Sequence, residues 1–153
     1  MKSIAIYILA ITFLSALLLG LSYQVKLPDG IYEMQVYSQT TPLVGECGQI
    51  DEMTNFNIYH YYDKVVSIKD CRLDNTLGVA YIYPKDKISA DALVDKLSVD
   101  VIFTQDLDGG VTYYGKSKAG GRSVVIDKQE INIQIVSNKD NIIVGFPLIM
   151  GSY

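Results

Sequence analysis

The chain has no tryptophan, a single histidine, two cysteines and four prolines in 153 residues. Each scarcity removes a class of chemistry. A metal centre needs more ligands than His60, Cys47 and Cys71 supply. A thiol nucleophile needs a base, and only His60 could serve either cysteine. Charge of one sign is also missing as a block. Thirteen Lys and Arg are scattered among seventeen Asp and Glu, for a net charge of −4. That excludes the dense basic footprint of a nucleic-acid binder. It also gives weak repulsion from anionic lipid headgroups.

What is abundant is tyrosine, with twelve copies, within a chain that is 49% hydrophobic. Tyrosine suits half-buried sheet faces, where the ring packs and the hydroxyl stays wet. The apolar content is enough for a core in one small domain.

Residues 1–23 read MKSIAIYILAITFLSALLLGLSY. Lys2 is the only charge, and Ile4 to Leu21 is apolar except for Thr12, Ser15 and Gly20. A cationic start before an apolar stretch is the form of a secretory signal. Gly20 and Ser22 place small residues where a cut after Ser22 would need them. The run exceeds the about 7–15 residues of a signal core and approaches the about 20 of a spanning helix. A cleaved signal peptide and an uncleaved membrane anchor both fit, and both put residues 24–153 outside the cytoplasm. No cysteine follows the run, which excludes a lipoprotein anchor. A buried core helix would show a polar face, and this segment has none.

In an exported chain, Cys47 and Cys71 are most simply read as a disulfide, worth about 3 kcal/mol by loop-closure entropy. Two free buried thiols are the alternative.

Along the domain, Leu27-Pro28-Asp29-Gly30 signals a turn. Ile31 to Ser38 alternates as a half-buried strand, its more apolar side being Tyr32, Met34, Val36 and Ser38. Gln39 to Asn55 has a loop composition. Phe56 to Tyr62, Val65 to Ile68 and Leu77 to Tyr83 read as strands, the last stopped by Pro84. One soluble helix starts near Ser89, a good N-cap, with Asp91 in the first turn and Ala90, Leu93, Val94 and Leu97 on one face. Beyond Ser98, a strand or a continued helix both fit. Asp108-Gly109-Gly110 is a turn, Val111 to Tyr114 and Ser123 to Ile126 are strands, and Ser117 to Arg122 is a loop. Ile131, Ile133 and Ile135 alternate with Asn132, Gln134 and Val136 as a strand with one buried face. Ile142 to Val144 and Phe146 to Ile149 form the last strand, with Gly145 and Pro147 interrupting, which points to an edge or a bulge. The expected class is α+β: a curved antiparallel sheet with one packed helix, preceded by an N-terminal hydrophobic helix.

Candidate chemistry is thin. Asp106, Asp108 and Gly109 resemble part of a calcium loop but lack its distal glutamate, and a hairpin turn explains them better. The carboxylate pairs Asp51–Glu52 and Asp91–Asp95 have no fixed separation, and exposed charge accounts for them. Gly120-Gly121-Arg122 lacks the lysine of a phosphate cradle. His60 lies among tyrosines with no nucleophile motif, so an ordinary strand histidine is expected. Tyr59, Tyr61, Tyr113 and Tyr114 are the candidate binding surface, with sheet packing as the plainer account. No catalytic, cofactor-binding or metal residue is assigned.

The segments DLDGGVTYYGKS at 106–117, INIQIV at 131–136 and IIVGFPLIMGSY at 142–153 resemble the end of YwmB-like proteins. These are exported proteins of endospore-forming bacteria, similar in fold to the TATA-box-binding protein. The resemblance implies a helix on a curved antiparallel sheet and carries no activity or catalytic residues. The half containing Cys47 and Cys71 departs from that family's two similar halves.

The expectation is a non-enzymatic envelope protein, anchored or secreted, that binds another protein or a cell-wall component and no nucleic acid. The alternative is a cell-wall hydrolase using His60 or an acidic pair. Export is tested by fusing residues 1–30 to a reporter that works only outside the cytoplasm. The fusion should be active, and a silent cytoplasmic fusion would end the export reading.

Overall fold

The computed structural model describes residues 26–42, 47–62, 76–107 and 110–151. The apolar run 4–21, Cys71 and the Val65–Ile68 strand expectation lie outside the described residues. Within them, no helix is long and apolar enough to cross a membrane.

Ten strands and one helix are described. They are β1 Glu33–Ser38, β2 Gln49–Glu52, β3 Asn57–Tyr61, β4 Thr76–Pro84, α1 Ala90–Lys96, β5 Asp100–Leu107, β6 Gly110–Lys116, β7 Val124–Ile126, β8 Gln129–Ile131, β9 Ile133–Ser137 and β10 Asn141–Phe146. Eight strands form one antiparallel sheet in the order β2-β3-β1-β4-β10-β9-β6-β5, and β7–β8 form a separate ribbon. The class is α+β, as the sequence led us to expect.

The sheet carries apolar side chains on both faces. On the first face Met34, Val36, Tyr59, Tyr61, Tyr81, Ile133, Ile135 and Val144 pack with Leu93 and Leu97 of α1. On the second, Tyr37, Ile58, Ala80, Ile82, Val136 and Ile143 pack with Phe56 and Ile149. Successive strand residues point to opposite faces, so strands buried on both sides lose the alternation that marks a half-exposed strand.

The short helix is set locally. The Ser89 hydroxyl oxygen accepts from the Ala92 N–H at 3.1 Å, which caps the first turn. Leu93 and Leu97, four residues apart, are fully buried, and each contributes about 1.5–3 kcal/mol of apolar burial. Ser98, at φ 48°, ends the helix, and β5 begins at Asp100, so the strand alternative holds beyond this point.

Three expectations are corrected. The Gln39–Asn55 stretch contains β2, held on β3 by backbone pairing of Gln49 with His60 through Glu52 with Asn57. Its exposed edge position explains the polar sequence that reads as loop. The isoleucine series is not one strand with one buried face. Ile131 belongs to β8 and Ile133 to β9, and Gln134 and Val136 on the opposite face are buried too. Asn132 makes the break: its Oδ1 accepts from the Ser117 N–H at 2.8 Å, and its Nδ2 donates to the Ser117 carbonyl at 2.9 Å. Finally, β10 is central, between β4 and β9, and runs straight through Gly145. It stops at Phe146 because Pro147 has no N–H for the ladder. The following segment folds back onto the second face, with the Ile149 N–H donating to Gln134 Oε1 at 2.9 Å. A Cβ on Gly145 would sit 2.8 Å from the Ile149 nitrogen, so this close return needs glycine.

Ile133→Asp buries an unpaired charge and should cost several kcal/mol, about 3 or more, in urea unfolding. Asn132→Asp loses one donor to the Ser117 carbonyl and should cost about 1–2 kcal/mol. Equal costs would contradict this account of the strand break.

Candidate functional site

The second face changes character toward the β2 edge. There β1 contributes Glu33, Gln35 and Tyr37, β3 contributes His60, and β2 contributes Gln49 and Asp51, all through the two-residue period of strands. Register aligns them: Gln35 pairs with His60, and His60 with Gln49. The result is a continuous polar row across three strands.

At its centre the His60 ring lies between two carboxylates. Nδ1 is 2.7 Å from Glu33 Oε1, and Nε2 is 3.0 Å from Asp51 Oδ2. The row continues on both sides. Gln35 Nε2 donates to Glu33 Oε1 at 2.8 Å, and the Tyr37 hydroxyl donates to Gln35 Oε1 at 3.0 Å. Gln49 Nε2 donates to Asp51 Oδ1 at 2.7 Å. The His60 and Glu33 side chains are 10% and 11% exposed, while that of Asp51 is 41% exposed. The Tyr62 ring stacks near the imidazole, with centroids 6.4 Å apart and planes at 18°.

A hydrogen count limits what this row can do. Two N···O contacts need two hydrogens. A neutral imidazole carries one, and an ionised carboxylate carries none. The imidazolium between two carboxylates satisfies every contact. With both nitrogens engaged, neither offers a lone pair to a metal or to a substrate proton. Among the described residues no group of three or more His, Cys, Asp or Glu is placed to hold a metal ion. The two ring contacts described are both to carboxylates, not to a hydroxyl or thiol. Cys47 packs on the opposite, helix-bearing face.

Hydrogen bonds, desolvation and the neighbouring carboxylates set the electrostatics around the row. Asp51 is held below the usual carboxylate range, chiefly by the Gln49 hydrogen bond and then by His60. The hydroxyl of Tyr62 is pushed up by desolvation and by Glu33 and Asp51. That of Tyr32 is pushed up by desolvation, Glu33 and Tyr62.

The other candidate residues scatter. Tyr59 and Tyr61 are 3% exposed and belong to the helix-side core, so for them sheet packing replaces the expected binding surface. Tyr113 is half-buried on that same face and donates to Asp91 Oδ1 at 2.8 Å. Tyr114 faces the other way and stacks on Phe103 with centroids 4.5 Å apart. The four tyrosines therefore share no surface. Asp51 and Glu52 are consecutive in a strand and point to opposite faces, which separates that acidic pair. Cys47 is half-buried with a free thiol among the described residues. Its pairing with Cys71 falls outside them. Asp108 and Gly109 also lie outside the described residues. Sequence reasoning missed Glu33, 27 positions from His60. The available signal was a charged residue and a glutamine, Glu33 and Gln35, on one side of an otherwise apolar strand.

These features define an antiparallel sheet protein with a buried acid–histidine–acid row near one edge. No protein family, curated protein or solved structure matches the chain.

His60→Ala strands the buried Glu33 carboxylate and should cost about 3 kcal/mol in urea unfolding. The Glu33→Gln, His60→Ala double variant should cost less than the two single changes summed, by about 1–3 kcal/mol. Strict additivity would show that the contact is not formed. Because Asp51 is lowered in the folded state, its contribution is complete above the ordinary aspartate range and is lost as pH falls through its folded value. Asp51→Asn should remove that part of the acid destabilisation.

Proposed function

We propose that this chain is a non-enzymatic extracytoplasmic envelope protein, anchored or secreted, that binds an extended segment of another envelope protein by strand addition. The observation that carries the reading is strand β5. It has eight residues, pairs with β6 on one side, and ends the sheet on the other among the described residues. The main-chain donors and acceptors along its outer side form a template for another strand. Asp100 and Asp106 are exposed near its ends, with Val101, Thr104 and Gln105 exposed between them. That pattern suits an extended apolar segment flanked by basic residues.

The family likeness of the last third belongs to this proposal as well. Its expected curved sheet with a packed helix is in keeping with an antiparallel sheet bearing one helix, and it brings no DNA binding to an exported acidic chain. The second reading, a cell-wall hydrolase, draws on the 2.7 Å contact of His60 with Glu33, since a carboxylate orienting a histidine is the start of a base.

A synthetic peptide of about ten residues, alternating Val and Thr between lysines, is the probe for strand addition. Its binding should shift the amide resonances of Asp100–Asp106 and leave those of β2 in place. Asp100→Lys with Asp106→Lys should weaken binding by about fivefold or more. No binding, or binding insensitive to this pair, would sink the strand-addition reading. His60→Gln, compared at constant pH, should complement a deletion of the gene. A folded, exported His60→Gln protein that fails to complement would favour the hydrolase.

A further inference from the structure

The acid–histidine–acid row joins three strands of unequal attachment. Strand β1 is central and buried, and β3 is held on it by five aligned pairs. Strand β2 has only four residues, all on the rim, and its Ile50 side chain is 49% exposed. It buries little apolar surface. Its attachments are backbone pairing with β3, the Gly48 N–H to the His60 carbonyl at 2.8 Å, the Met53 N–H to the Phe56 carbonyl at 3.0 Å, and the Asp51 contact with the imidazole. A charge-assisted side-chain bond is therefore a large share of what holds this strand.

We propose that the Glu33–His60–Asp51 row is a proton-operated latch: with both ring nitrogens protonated it holds edge strand β2 on the sheet, and loss of one ring proton releases that strand. The hydrogen count gives the direction. The neutral ring keeps one N–H. Glu33 retains it, because its carboxylate is buried and also accepts from Gln35. The Nε2 lone pair then faces Asp51 Oδ2, which accepts and cannot donate. Asp51 is the partner with water available, so it is the one to leave. Release of β2 uncovers the outer edge of Asn57–Tyr61.

Among the described residues, few groups surround the ring. Glu33 faces it from β1, Asp51 from β2, and Tyr62 from beyond β3, with Tyr32 before β1 coupled to Glu33 and Tyr62. Gln35, Gln49 and Tyr37 complete the hydrogen bonds. Behind β1, strand β4 presents Ala80 and Ile82 opposite Gln35 and Glu33, with no titratable side chain. The lysine ion pairs among the described residues lie elsewhere.

The test is amide hydrogen exchange on the full chain from about pH 5 to about pH 8, corrected for intrinsic rates, with the His60 ring followed by NMR. Protection of the Gln49–Glu52 amides should fall about tenfold as the ring loses its proton, while β9 and β10 stay constant. In His60→Gln the protection of β2 should not change with pH. Asp51→Asn, at an exposed side chain, should flatten the response. Its Oδ1 accepts from the protonated Nε2 and its amide N–H donates to the neutral one, so β2 protection should change little with pH. Constant β2 protection while the ring titrates would overturn the latch, as would a ring that keeps its charge throughout. So would an Asp51→Asn protein that behaves as the parent does. Peptide binding at β5 is a separate measurement at the far edge, so failure of strand addition and failure of the latch are distinguishable.

Discussion

Burial of the sheet on both faces is the constraint from which the rest of the structure follows. Val36 and Tyr37, Tyr81 and Ala80, Val144 and Ile143 are consecutive or adjacent residues that point to opposite faces and are all nearly inaccessible. A sheet with two apolar faces needs cover on both sides. One seven-residue helix, with Leu27, Ile31 and Ile88 around it, contributes on the first face. The chain after Phe146 contributes on the second, through Ile149 and the close return allowed at Gly145.

Among the described residues, the apolar cover of the second face thins toward β3 and β2, and there the chemistry changes. The β4 and β10 side of that face is filled by Ile82, Ile143 and Ile149. On β1, β3 and β2 the same face carries Glu33, Gln35, His60 and Asp51 beside the apolar Tyr37 and Ile58, and the polar four satisfy one another. A buried polar row costs little only when each member has its partner. Here the strand register supplies the partners, and the row's outer member reaches water. The acid–histidine–acid arrangement is thus a structural solution to a half-covered face, and the proposed proton latch is a property of that solution.

The strand and helix signals that depend on neighbours in the chain were readable directly. Ser89 as a cap, Leu93 and Leu97 as a buried pair, Pro84 as a stop and the strands around Tyr59, Tyr81 and Tyr113 all lie where local pattern puts them. Strand β2 was not legible, since an edge strand is polar on both sides and shares its composition with loops. The joining of Ile131 to Ile135 into one strand failed because the break depends on Asn132 meeting Ser117, a contact between different elements. The placement of Tyr59, Tyr61, Tyr113 and Tyr114 on different faces was illegible for a similar reason. Alternation tells which residues share a side of one strand, and only packing tells which side is covered.

Sequence alone determined the α+β class and the helix capped at Ser89, because composition and period act over a few residues. Tertiary structure alone decided that His60 stands between Glu33 and Asp51. Those contacts join residues 27 and 9 positions apart, through antiparallel pairing of β1 and β2 with β3. A slip of one residue in either pairing would turn a carboxylate to the opposite face and leave the ring without it. Register is set by the fit of both apolar faces at once, which no single strand encodes.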